Sequence, residues 1–270
     1  MPGTWRRWRR LVSARLAHAA WRRFQLAGTI TADTDAGRKF AAFGPGSMIS
    51  FPSGAIFGER WIEVGDLTMI GEQVSVSAGM MPGHDLGPDT VLRIGSGCVI
   101  GRGSHIVAHY SVDIGDEVFT GPYVYITDQN HSYADPDLPV GRQWPRNSAV
   151  SIGPGCWLGT GVIVLPGSVL GRNVVVAAGS VVRGKFADHC VIAGVPARVV
   201  KEFDPAAGWA RPGTDLGADS VLREALESVA EAMAADPLLA SPPTTNPASS
   251  GSGVPAIVDS GPVPDRGPGA

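Results

Sequence analysis

Residues 152–183 read IGPGCWLGTGVIVLPGSVLGRNVVVAAGSVVR, and an aliphatic side chain returns in them every six positions: Ile152, Leu158, Val164, Leu170, Val176, Val182. Working outward, the same beat runs through Val64, Ile70, Val76, then Ile94, Ile100, Ile106, then Ile114, Thr120, Ile126. Fourteen of these fifteen anchors are aliphatic. Grouped in threes, the residue after the first two anchors is Gly in nine of ten cases, with Ala177 the exception. After the third anchor it is never Gly but Ser77, Val107, Thr127, Leu165 and Arg183. The full repeat is therefore three hexads, eighteen residues, with one face unlike the other two. No helix uses a period of six in this way. Short extended segments that turn every six residues do, each turn bringing an anchor inward and leaving no Cβ where the backbone crowds. Stacked coils then satisfy one another's backbone groups, which gives a solenoid of triangular cross-section. Small or β-branched residues four places after the anchors keep the same phase, and they put Cys98 and Cys156 in interior columns as small core fillers.

The rest of the chain agrees. Of 270 residues, 44% are hydrophobic, enough for a core, and 36 Gly with 22 Pro make up about a fifth of the chain, which suits turns and not long helices. Net charge is only −3, but residues 1–32 hold seven arginines (Arg6, Arg7, Arg9, Arg10, Arg15, Arg22, Arg23) and no acid, so the remainder is acidic. An acidic body argues against wrapping nucleic acid, whose affinity comes from many phosphate contacts. Three cysteines without a CxxC pair support neither a disulfide framework nor a zinc knuckle and read as reduced thiols of a cytoplasmic protein. No run of eighteen apolar residues offers a membrane span.

The expected organisation is a basic N-terminal helical segment over 1–42 and the solenoid over 43–203. A linker with a short acidic helix follows over 204–240 (the helix around 219–235), then a disordered Pro/Ser/Gly tail over 241–270. The solenoid's beat breaks three times. Eighteen residues separate Val76 from Ile94, eight separate Ile106 from Ile114, and twenty-six separate Ile126 from Ile152. The last break, a polar, Pro-rich loop over 127–151, leaves the side of the column and is where function is expected. It contains His131, and the middle break adjoins His109.

The repeat resembles that of the hexapeptide-repeat acyltransferases, whose fold is a left-handed parallel β-helix. CWLGTGVIVLPGSVLGRNVVVAAGSVV (156–182) followed by IAGVPARVVK (192–201) is similar to the C-terminal signature of maltose, galactoside and polysaccharide O-acetyltransferases. AHYSVDIGDEVFTGPYVYITDQNHSYADPDLP (108–139) resembles the branch acting in cell-surface polysaccharide synthesis. The resemblance implies an all-β fold with flanking helices and a homotrimer with active sites between columns. It also implies transfer of an acetyl group from acetyl-CoA, without a metal, to a carbohydrate hydroxyl. His131 matches the family's catalytic base, a role that suits imidazole because it titrates near working pH. Coenzyme contacts carry over to Trp157, Thr160, Ala178, Arg183, Gly184, Arg198 and Lys201, and to Lys185, which stands one position from where relatives carry their lysine. Trp157 reads equally well as packing. Acceptor contacts are expected among His109, Asp128, Asn130, Tyr133, Arg142 and Trp144, with Asp128 and Asn130 also placed to orient His131. A surface histidine is the other reading of His109.

Other functions remain in view. A longer acyl donor fits the same fold. A β-helix carbonic anhydrase needs three histidines on a metal, and His105, His109 and His131 lack that family's ligand spacing. Sugar nucleotidyltransferases need a large preceding domain, and serine acetyltransferase a long helical one. The Arg/Trp segment suits either peripheral contact with an anionic membrane at the inner face or a helix covering the end of the solenoid.

Overall fold

The computed structural model describes residues 3–205 and 208–211. The acidic helix expected around 219–235 and the tail expected from 241 lie outside the described residues. The aliphatic beat builds a three-sided column. Strands of mostly two to four residues fall into a seven-stranded sheet that includes Ile62–Val64, Leu92–Ile94, Val112–Ile114 and Val150–Ile152. A ten-stranded sheet includes Met69–Ile70, Val99–Ile100, Phe119–Thr120 and Trp157–Leu158. A six-stranded sheet includes Ser75–Ala78, His105–Ala108, Tyr125–Thr127 and Ile163–Val164. Within the column each strand pairs in parallel with the strand one coil above, anchor opposite anchor, as in Ile106↔Ile126 and Ile126↔Val164.

All fifteen anchors are buried, none more than 2% exposed. Each of the fourteen aliphatic anchors removes its side chain from water, worth about 1.5–3 kcal/mol for a Val, Leu or Ile. The residues four places on, from Thr68 through Cys98, Ser104 and Cys156 to Ser180, are buried as well. Their polar members are not left unpaired: Thr68 Oγ1 donates to the Gly95 carbonyl at 2.7 Å and Ser104 Oγ to that of Gly101 at 2.7 Å.

The glycine after an anchor is there for space. A Cβ on Gly159 would stand 2.6 Å from the amide nitrogen of Ala178 in the coil above. The left-handed turn falls two residues later, at Leu67, Gln73, Glu117, Tyr123 and Asn173, with φ between 53° and 61°, and at Gly97, Gly155 and Gly179 in other coils. The close approach and the left-handed turn are thus two separate requirements, met at different positions of the hexad.

The basic segment is helical over Gly3–Gly28, where Ala, Leu and Arg dominate and no Pro interrupts. Its last turns meet the column through an edge-on contact of Phe24 with Phe51, ring centroids 5.4 Å apart, and a 2.8 Å hydrogen bond from Gln25 to Glu72. Leu11, Leu16, Trp21 and Leu26 stay exposed. At the opposite end Cys190–Gly194 and Ala197–Asp204 form an antiparallel hairpin on the ten-stranded sheet, with Ile192 and Ala197 joining the core. Among the described residues no helix is long and apolar enough to cross a membrane.

Candidate functional site

Every break in the beat follows a third anchor, Val76, Ile106 or Ile126, so all three leave the column at one corner, between the six- and seven-stranded sheets. Stacking then does what sequence distance hides: it gathers residues of the 79–91, 109–111 and 128–149 excursions. His84 and His131 both come within electrostatic reach of His109.

Asp128 ties this corner together. Its carboxylate accepts the backbone N–H groups of His109 at 2.9 Å, Tyr110 at 2.7 Å and Ser111 at 2.7 Å, while its own carbonyl accepts the Ser148 N–H at 2.7 Å. One buried side chain thus fixes the short excursion and closes the base of the long one. Its oxygens are spent on backbone and it is fully buried, so it faces neither an acceptor nor the His131 ring. This corrects the sequence-based expectation for Asp128: an isolated carboxylate among loop residues reads as a surface group, and only the fold shows three orphan amides converging on it.

Beyond Asp128, Gln129–Asn130 pair antiparallel with Arg146–Asn147, and this two-residue ladder delivers His131 to the start of the excursion. The Gln143 amide holds the loop by donating to the carbonyls of Asp135 at 2.9 Å and Leu138 at 3.0 Å. His131 is exposed and lines two grooves at once. One, of about 380 Å³, runs past Asn130, Tyr133, Arg146 and Leu165 to Arg183. The other, of about 460 Å³, runs across the six-stranded sheet toward earlier coils, past Ser77, His105, His109, Tyr125 and Gln129. Burial pushes the His109 pKa below the usual imidazole value; nearby Asp128 opposes this, and His84 and His131 add to it.

The remaining candidates do not converge in one chain. Thr160 and Ala178 lie one coil apart at the corner between the ten- and six-stranded sheets. Trp157 stands on the ten-stranded sheet, and Arg198 and Lys201 on its hairpin, while Lys185 opens a strand of the seven-stranded sheet after Gly184. Arg142 and Trp144 line neither groove beside His131. Sequence reasoning passed over Ser77, Tyr125 and Gln129 and the strap of 79–91. The signal that could have found them was present, because a break in the same phase of three successive coils must stack. Cys98 and Cys156 are buried, and desolvation raises both thiols, Cys156 to about 11, which keeps them protonated and inert. Among the described residues no three His, Cys, Asp or Glu side chains are arranged to hold a metal ion.

Two family models match the chain: the bacterial transferase hexapeptide of six repeats over residues 149–184, and the hexapeptide repeat of succinyl-transferase over 91–127. Over those two stretches the chain carries hexapeptide repeats of the transferase kind. Rv3034c of Mycobacterium tuberculosis, which bears the name of an acetyltransferase, is 34% identical over 142 residues, 53% of this chain and 42% of that protein. WbbJ of Escherichia coli, whose name places it in lipopolysaccharide biosynthesis as an O-acetyl transferase, is 42% identical over 107 residues, 37% of this chain and 55% of that one. The chain spans about half the length of these curated relatives. The N-acyltransferase AntD of Bacillus cereus, solved with dTDP and 3-hydroxybutyryl-CoA, superposes with a TM-score of 0.52 at 17% identity, covering 74% of this chain and 100% of AntD. That likeness is one of fold, and the column is a left-handed parallel β-helix.

Proposed function

We propose that the protein is an acetyl-CoA-dependent O-acetyltransferase acting on a hydroxyl of a sugar, oligosaccharide or polysaccharide precursor, with His131 as general base. The observation that supports this reading is that His131 lines two grooves at once, a position from which one side chain would serve a donor held in one and an acceptor held in the other. The names of the relatives, an acetyltransferase and an O-acetyl transferase of lipopolysaccharide biosynthesis, support the reaction class. We assign the Arg183 groove to the acyl-CoA, whose phosphates call for a cation, and the opposite groove to the acceptor.

In this scheme the acceptor oxygen attacks the thioester carbonyl as its proton passes to His131. The tetrahedral intermediate then collapses, the C–S bond breaks, and the imidazolium returns the proton to the CoA thiolate. No residue is covalently modified, so a single base suffices for both transfers.

The scatter of the other coenzyme candidates over several faces supports a homotrimer, in which a neighbouring column brings Trp157, Arg198 or Lys201 to a cleft that one chain leaves incomplete. Light scattering should give about 84 kDa, three times the 28.0 kDa chain; an active monomer would exclude it.

The direct test incubates the protein with acetyl-CoA and a panel of glycans and looks by mass spectrometry for an acetyl adduct. His131→Ala should lower kcat by about two orders of magnitude or more with the melting curve unchanged. Near-normal turnover in that variant would refute the assignment.

A further inference from the structure

The acceptor-side groove carries two unsatisfied atoms. His109 Nδ1 and Gln129 Oε1 are both buried and both lack a hydrogen-bond partner. Among the described residues the other polar atom of each side chain, its Nε2, has no hydrogen-bond partner, and both residues line the same groove as His131. The buried atoms fix what the Nε2 atoms are. A proton on His109 Nδ1 would be a buried donor without an acceptor, which costs more than a buried lone pair, so the neutral ring keeps its proton on Nε2. Burial, which disfavours the imidazolium, holds the ring in that neutral form. Gln129 with its carbonyl oxygen turned inward likewise offers an NH₂ group. The groove therefore faces its ligand with two neutral N–H donors next to the base.

Its lining also carries no acidic side chain and no Lys or Arg. Around the donors stand Phe57, Ser77, His105 and Tyr125. Arg146 and Arg183 line the other groove that His131 shares. A phosphate, carboxylate or ammonium group placed against the acceptor-side wall would be desolvated without a counter-charge.

We propose that His109 and Gln129 read the acceptor, donating hydrogen bonds to an oxygen on the carbon next to the hydroxyl that His131 deprotonates. The substrate class is then a neutral sugar ring presenting a vicinal diol. This rests on the O-acetyltransferase reading above and adds a selection rule to it: an acceptor lacking the neighbouring oxygen leaves both donors unpaired and is rejected. His109 and Gln129 act as specificity residues, and the proton transfer stays with His131.

The test uses acetyl-CoA with methyl α-D-glucopyranoside, galactopyranoside and mannopyranoside, their monodeoxy analogues and the corresponding uronates, with the product located by mass spectrometry. For the wild-type enzyme, removing the oxygen beside the acetylated position should lower kcat/KM by about tenfold or more, chiefly through KM, and the uronates should be poor acceptors. Gln129→Ala and His109→Ala should each raise the KM of the parent sugar about tenfold, leave the KM of acetyl-CoA within about twofold, and bring the parent and deoxy sugars to near equality. His109→Gln, which restores an N–H at similar reach, should recover much of the discrimination, as a merely structural role for His109 would not. Equal use of parent and deoxy sugars by the wild-type enzyme, or preference for uronates or simple alcohols, overturns the proposal while leaving acetyl transfer standing. Absence of transfer to every sugar removes the parent reading and this one with it. The wild-type series decides the matter even where a variant fails to fold.

Discussion

The coils from Ile152 to Val182 and those from Val64 to Ile126 share one interior and differ at one corner. In the later coils the chain passes from the six- to the seven-stranded sheet through a short turn such as Leu165–Ser168. In the earlier ones the same passage opens three times, into 79–91, 109–111 and 128–149. Regular coils give the column its length and stiffness, each stabilised by the coil above and below. The interrupted ones bring the candidate site together, because loops leaving stacked coils at one corner must lie beside one another. The difference teaches that a repeat's function is found by asking where, in the phase of the repeat, it fails.

That division can be broken most sharply at Asp128, the joint between column and excursions. Asp128→Ala strands the amides of residues 109–111, a loss on the order of 3 kcal/mol, and should also unseat His109 and the base of the His131 loop. A melting temperature several degrees lower, together with a fall in kcat/KM of at least tenfold, is the expected result in thermal denaturation and an acetyl-CoA assay. Unchanged activity would mean that the excursions hold their arrangement without this link.

Within the regular coils, Gly159→Ala pushes a methyl group to 2.6 Å from the Ala178 nitrogen. Crowding of that kind costs about 1–3 kcal/mol, and the change should appear in a urea titration as a lower midpoint. A neutral outcome would show that adjacent coils can slide apart, and the contrast between rigid column and loops would weaken.

The smallest effect is expected at the far end of the excursion. Trp144 is 81% exposed and lines neither groove, so Trp144→Ala should alter stability by less than about 0.5 kcal/mol and leave the acceptor KM within twofold. A clear rise in KM would sharpen the comparison by bringing the loop tip into the acceptor site, as a neighbouring column in a trimer would do.

Residue by residue, the column was legible and the corner only partly so. Val64 through Val182 announced themselves because each anchor's inward turn depends on its own hexad, and Cys98 and Cys156 followed from the same count. His131 was visible as an imidazole in the largest break. Asp128 was misread because its partners, the amides of 109–111, lie seventeen to nineteen residues away in sequence. Gln129 was passed over because nothing in its own neighbourhood marks which of its two amide atoms would be buried. The scatter of Trp157, Thr160, Arg183 and Lys201 over separate faces was equally hidden, since a motif fixes their spacing along the chain and not the side of the prism on which each one stands.

The amino-acid sequence alone determined the six-residue beat, the triangular coil and the three places where the beat fails, because these are local matters of which side chain can turn inward and where a Cβ will not fit. Tertiary structure alone decided that the three failures share a corner, that Asp128 turns inward to bind them, and that His131 stands between two grooves. Those outcomes depend on which coil lies above which, and stacking register is a property of the assembled column that no single hexad contains.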